Sequence, residues 1–162
     1  MKKLHILALA TVTLLVTPVA TFAYHWTSAC SAGATIDEAD LSQYQVDKSS
    51  LFFASGETGI ILARYNVTNT TGDDTPPYTT FELGYTDTST LGSVTAFLYE
   101  VDPCTGLRVE ICRVVSIDNT TCNTCTFPNT TFNFATNLYF VTVQLSRTST
   151  AANPMANTLR IY

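Results

Sequence analysis

The sequence predicts an all-β chain folded as a two-sheet antiparallel β-sandwich, jelly-roll or immunoglobulin-like, with about eight strands. Three observations predict it. From residue 50 onward, short runs rich in β-branched and aromatic residues alternate with turn clusters at fairly regular spacing. Several of these runs alternate apolar and polar side chains with a period of two. Charged residues make up only 13% of the chain, where an ordinary soluble domain has about one quarter. Threonine, asparagine and serine do the solvating instead, and threonine is a good strand former.

The first element is a leader. Met1-Lys2-Lys3 is positive, residues 4–16 are almost all apolar, Pro18 breaks a helix, and Thr21-Phe22-Ala23 places small residues at −3 and −1. This pattern predicts a secretory signal peptide over residues 1–23. Its apolar run falls short of the roughly 18 to 20 residues of a spanning helix, so no transmembrane segment is expected. Cleavage would remove two of the 8 basic side chains and move the formal charge from −5 to −7. A domain that acidic is repelled by anionic polymers and bare membranes, and a basic nucleic-acid binder is excluded. The expected location is secreted or cell-surface.

Residues 24–49 form an N-terminal segment in which only residues 35–44 suit a short helix. Thr35 could cap it, with Glu38 completing a capping box. Residues 50–162 are expected to form the sandwich. Its first strand covers residues 50–53. Residues 59–67 put Ile61, Ala63, Tyr65 and Val67 on one face, and residues 80–85 do the same with Phe81, Leu83 and Tyr85. Residues 93–101 are apolar on both sides, which predicts a central strand. Residues 107–117 alternate as Leu107, Val109, Ile111, Val115 and Ile117, with Arg113 a misfit. Residues 119–131 read as a loop, residues 132–134 as a short strand, and residues 139–145 and 159–161 as the last two strands.

Five cysteines lie in the exported part, where disulfides form and persist: Cys30, Cys104, Cys112, Cys122 and Cys125. An odd number leaves one over. Cys104 at a hairpin tip and Cys112 along the following strand would stand about 17 Å apart at about 3.3 Å per residue. That is too far for a disulfide. Cys122 and Cys125 either close on each other or one of them reaches back to Cys112. A redox Cys-x-x-Cys site lacks its strand-to-helix context. A zinc site of Cys104, Cys112, Cys122 and Cys125 is disfavoured by export.

Catalysis finds little support. His25 is the one histidine outside the leader, and there is no G-x-S-x-G elbow. A carboxylate pair could be drawn from Glu57, Glu82, Glu100 and Glu110, but such residues on strands are usually solvated. Asp37, Glu38, Asp40 and Asp47 are the only calcium candidates, and no other cofactor is expected. A helix N-terminus accounts for the same acidic cluster. Among Tyr24, Trp26, Tyr44, Tyr78, Tyr99 and Tyr139, the leading ligand candidates are Trp26, Tyr44 and Tyr78, because aromatic rings can stack on sugars. Asn66, Asn69, Asn119 and Asn129 each head a glycosylation sequon.

These features predict an exported, non-catalytic binding module for an extracellular glycan or surface protein. One alternative is a structural subunit of an envelope, filament or matrix that self-associates through an edge strand or a disulfide. A second is a small hydrolase working through a carboxylate pair. A surface this poor in charge is expected to bind with little dependence on salt.

Overall fold

A computed structural model describes residues 25–35 and 41–162. The strands among these residues are β1 (Trp26–Ala29), β2 (Ala34–Thr35), β3 (Tyr44–Asp47), β4 (Ser50–Phe53), β5 (Gly59–Val67), β6 (Thr80–Asp87), β7 (Gly92–Val101), β8 (Arg108–Val115), β9 (Asn119–Thr126), β10 (Leu138–Arg147) and β11 (Met155–Ile161). They build two antiparallel sheets. Sheet A runs β3-β4-β11-β6-β9, with β1 also paired to β11, and sheet B runs β2-β5-β10-β7-β8.

From β4 onward the pairings are nested. β7 pairs with β8, β6 with β9, β5 with β10, and β4 with β11. One long hairpin has been rolled over itself, so that β10 also meets β7 and β11 also meets β6. This is the eight-stranded jelly roll, which decides between the two expected forms of sandwich. The inner faces follow the period of two. Ile61, Ala63, Tyr65 and Val67 are buried on β5, Phe81, Leu83 and Tyr85 on β6, and Val94, Ala96 and Leu98 on β7. Each fully buried Leu or Val contributes roughly 1.5–3 kcal/mol of transfer free energy.

The structure corrects the sequence reading in three places. The first is the N-terminal helix. Thr35 pairs with Ala63 in β2 and Tyr44 pairs with Phe53 in β3, so both ends of the expected helix are strand. Residues 36–40 and the expected leader, residues 1–23, lie outside the described residues. Trp26 is buried in β1, and the chain then crosses from sheet A to sheet B through a 3-10 turn, Cys30–Ala32. Gly33 completes the crossing. A Cβ there would lie 2.3 Å from the Tyr65 ring, so only glycine lets the backbone pass.

The second correction concerns β8. Its expected apolar face, Leu107, Val109, Val115 and Ile117, is exposed, and Cys112 with Val114 faces the core instead. A bulge opposite Leu98 and Tyr99 shifts the register at Ile111, and a one-residue shift turns a strand over.

The third correction exchanges a strand for a loop. Residues 119–126, expected in a loop, form β9, laddered to β6 from Thr80↔Thr126 to Asp87↔Asn119. Backbone pairing defines this strand, since its side chains are nearly all polar. Residues 132–134 form no strand. Phe132 plugs one end of the sandwich, edge-on to Tyr78 at 5.1 Å and 4.4 Å from the Tyr139 ring centroid.

Cys112 on β8 and Cys125 on β9 are disulfide-bonded, which ties sheet B to sheet A at one rim. Of the alternatives left open, the reach back to Cys112 is the one observed. Cys122 sits an odd number of positions from Cys125 on β9 and so faces the other way.

Candidate functional site

Strand β7 is interior to sheet B, as its two apolar faces predict, but one of those faces is turned to solvent. Its outward residues align in rows with those of neighbouring strands. Asn66, Phe140, Tyr99 and Glu110 form one row across β5, β10, β7 and β8. Arg64, Thr142, Phe97 and Arg113 form the next, and Leu62, Gln144, Thr95 and Val115 the third. A continuous aromatic strip results. The Phe97 and Tyr99 rings are nearly parallel with centroids 6.1 Å apart, and Tyr99 lies 5.1 Å from Phe140.

An arginine stands over each ring. The Arg64 guanidinium lies 4.6 Å from the Phe140 centroid, Arg108 lies 5.5 Å from Tyr99, and Arg113 lies 4.9 Å from Phe97. Arg113 is also held by two hydrogen bonds to Glu110, at 3.1 and 3.0 Å, which push its pKa up. Among the described residues, neither Arg64 nor Arg108 has a carboxylate within ion-pair distance. These two arginines line two adjoining depressions. One, of about 500 Å³, extends toward Leu107 at the rim, and the other, of about 260 Å³, is floored by Phe97, Tyr99 and Thr142.

Local structure fixes the position of Arg108. The β7–β8 turn is closed by Asp102, whose carboxylate accepts from the Cys104 and Thr105 N–H groups at 2.8 and 3.1 Å. Those bonds hold the Asp102 carboxyl below its ordinary range. Gly106 takes the left-handed conformation (φ 70°) that ends the turn just before β8.

The leading aromatic candidates do not form a platform. Trp26 and Tyr78 are core residues, 5% and 1% exposed, and Tyr44 is half-buried against the same core. The sandwich uses these large rings to fill its core. Tyr139 is also buried, and Tyr24 lies outside the described residues. Tyr99 alone of that set reaches the strip. Phe97, Phe140, Arg64 and Arg108 were not singled out in the sequence, and Arg113 only as a misfit. Their signals were the second apolar face of residues 93–101 and the misfit Arg113.

The remaining candidates are dispersed. Asp47 is exposed at the end of β3, while Asp37, Glu38 and Asp40 lie outside the described residues. Among the described residues, no group of three or more His, Cys, Asp or Glu could hold a metal ion. His25 is exposed ahead of β1. Glu82 faces out from sheet A beside Arg160, and Glu110 faces out from sheet B. Glu100 accepts from Asn137, and Glu57 lies between β4 and β5. Asn66, Asn69, Asn119 and Asn129 are all exposed.

Cys104 and Cys122 are exposed free thiols. Cys30 is a buried one whose pKa burial pushes up to about 12. Three unpaired cysteines therefore remain beside the single disulfide among the described residues, and the bonding of Cys112 to Cys125 leaves no four-cysteine zinc set.

A separate cleft of about 460 Å³ lies at the end of the sandwich near Asn69 and Phe134. Two of its polar groups are committed internally. Asn69 caps its own loop by accepting from the Gly72 N–H, and Asn137 donates to Glu100.

Among the described residues, no helix is long and apolar enough to cross a membrane. No protein-family model matches the chain, and neither does any curated protein. Solved structures with a similar fold include TmCBM61 in complex with beta-1,4-galactotriose, at 11% identity and a TM-score of 0.44, over 87% of this chain and 89% of that one. A family two carbohydrate esterase from Cellvibrio japonicus matches at 9% identity and a TM-score of 0.37, over 85% of this chain and 32% of its own. A structure of infectious bursal disease virus Gx strain matches at 14% identity and a TM-score of 0.34, over 85% and 30%. The chain spans about a third of the esterase and of the viral chain.

Proposed function

We propose that this chain is an exported, non-catalytic glycan-binding module whose ligand lies along the outward face of β5, β10, β7 and β8. The observation that carries this reading is the strip of Phe97, Tyr99 and Phe140, set on rigid strands and bordered by the hydrogen-bonding side chains of Thr142, Gln144 and Asn66. Aromatic surface of this kind packs against the apolar faces of sugar rings, while polar neighbours read their hydroxyls. The scatter of Glu57, Glu82, Glu100 and Glu110 over separate elements supports a binding role over a carboxylate-pair hydrolase, which needs two carboxyls about 5 to 10 Å apart in one cleft. Export accords with the leader pattern and with the Cys112–Cys125 disulfide.

A glycan array with the protein lacking residues 1–23 tests the reading. Binding is expected to at least one class of glycan, and Tyr99→Ala combined with Phe140→Ala is expected to weaken it at least tenfold, about 1.4 kcal/mol. An array with no bound glycan would overturn the proposal.

A second reading, self-assembly at an edge, has its own observation. β8 is an edge of sheet B and exposes Val109 and Val115, with exposed Leu107 and the exposed thiol of Cys104 in the turn before it. A strictly monomeric protein by light scattering and non-reducing electrophoresis would sink that reading.

A further inference from the structure

Resting on the glycan-binding reading of the sheet B face, we infer that the glycan is acidic, and that Arg64 and Arg108 hold carboxylates carried by its sugar rings. Charge is distributed unevenly over the chain. The sequence has 13 acidic residues and 8 basic ones, two of the latter in the leader. Three of the remaining basic side chains stand over one aromatic strip, where Glu110 is the one acid in its three rows. Glu110 is committed to Arg113. Arg64 and Arg108 are therefore exposed cations in an otherwise acidic domain.

The way these arginines are held matters as much as their charge. A guanidinium that lies over a ring, as Arg64 does 4.6 Å from the Phe140 centroid and Arg108 does 5.5 Å from that of Tyr99, keeps N–H groups that can reach a ligand beside the ring. In that posture it can grip a carboxylate with two parallel hydrogen bonds, at a smaller entropic cost than a free side chain would incur. The two guanidiniums also line both depressions of the face, so a chain lying from one to the other passes between them. An extended polymer of uronic acids supplies what each part needs: ring faces for the aromatic strip and a carboxylate on each sugar for the arginines.

If the glycan is acidic, two expectations drawn from composition would not hold. An overall acidic domain should shun polyanions, and its binding should be insensitive to salt. Fields are screened beyond about 8 Å at physiological ionic strength, so the nearest charges decide, and here they are arginines.

The test measures affinity for polygalacturonate, alginate and hyaluronate. Methyl-esterified polygalacturonate and neutral galactan serve as uncharged controls, and poly-glutamate as a polyanion without sugar rings. The expected result is binding to at least one uronate polymer, tenfold or more above its uncharged counterpart and above poly-glutamate. Affinity should fall as salt rises from 50 to 300 mM, and by at least tenfold in Arg64→Gln combined with Arg108→Gln. The lysine versions of both substitutions should recover part of the loss, and thermal melting of each variant checks that it is folded.

Equal binding to the uncharged polymers, unmoved by the arginine variants, would overturn the inference and leave the glycan reading standing. Equal binding to poly-glutamate would overturn it by showing that charge without a sugar suffices. Binding to none of the sugars, charged or neutral, would remove both.

Discussion

The two outward faces of this sandwich have the same backbone geometry and opposite chemistry. On sheet A the outward row includes Thr158, Gly84 and Cys122, and the next pairs Arg160 with Glu82, with Tyr162 also donating to Glu82. Its one arginine is answered by a carboxylate at 4.0 Å, and no strip of stacked rings crosses it. On sheet B three rings and three arginines share one surface with a single glutamate. The inner faces of both sheets pack into one hydrophobic core, so core burial does not explain the difference between the outer ones. A polar outer face is what a charge-poor sandwich needs where it meets water. A face that sets the half-buried rings of Phe97, Tyr99 and Phe140 under three guanidiniums, two of them without a carboxylate partner among the described residues, has a feature that stability does not require, and that marks it as the place to look for a ligand.

The largest expected effect should fall on both faces together. Cys112→Ser removes the bond between β8 and β9, which closes a loop with a sequence separation of 13. A stability loss of about 3 kcal/mol in urea unfolding is expected. Because β8 carries Arg108 and Arg113, ligand affinity should weaken as well. A variant as stable as the parent would show that the disulfide does not hold the two sheets together.

A smaller effect should separate the faces. Gly84 lies where a Cβ would come within 2.4 Å of the Thr158 Oγ1 on the neighbouring strand. Gly84→Val should cost about 1–3 kcal/mol through crowding, and adding Thr158→Ala should restore part of it. Glycan affinity, measured below the unfolding transition, should stay unchanged, because sheet A takes no part in binding. A change in affinity would undo the assignment of function to sheet B.

The smallest effect should sharpen the electrostatic side of the comparison. Glu110→Gln releases Arg113 from its ion pair, and affinity for a uronate polymer should rise about two- to fivefold, the range typical of exposed pairs. A fall would mean that Glu110 itself contacts the ligand.

Much of the architecture was legible in side-chain alternation. Ile61 to Val67, Phe81 to Tyr85 and the four inward apolar residues of β10 announce their strands, because a half-buried strand writes its period of two into the sequence. β9 was not legible. Its threonines and asparagines pair through the backbone with β6, and hydrogen bonds between main chains leave no mark on hydropathy. β8 was legible as a strand but read on the wrong face, since the bulge opposite Tyr99 reverses its register. The site was harder still. Its rings and arginines come from β5, β7, β8 and β10, and no local pattern links Arg64 to Phe140 or Arg108 to Tyr99.

The sequence by itself determined the class of fold, the presence of disulfide chemistry and the scarcity of charge, because each depends on composition or on neighbours along the chain. Only the tertiary structure decided that Trp26 and Tyr78 close the core, that Cys112 bonds to Cys125, and that half of the non-leader cations gather over one aromatic strip. The physical reason is that strand order and register bring together residues far apart in sequence. A jelly roll makes nearly all its contacts that way, so its chemistry exists only once the long hairpin has been rolled up.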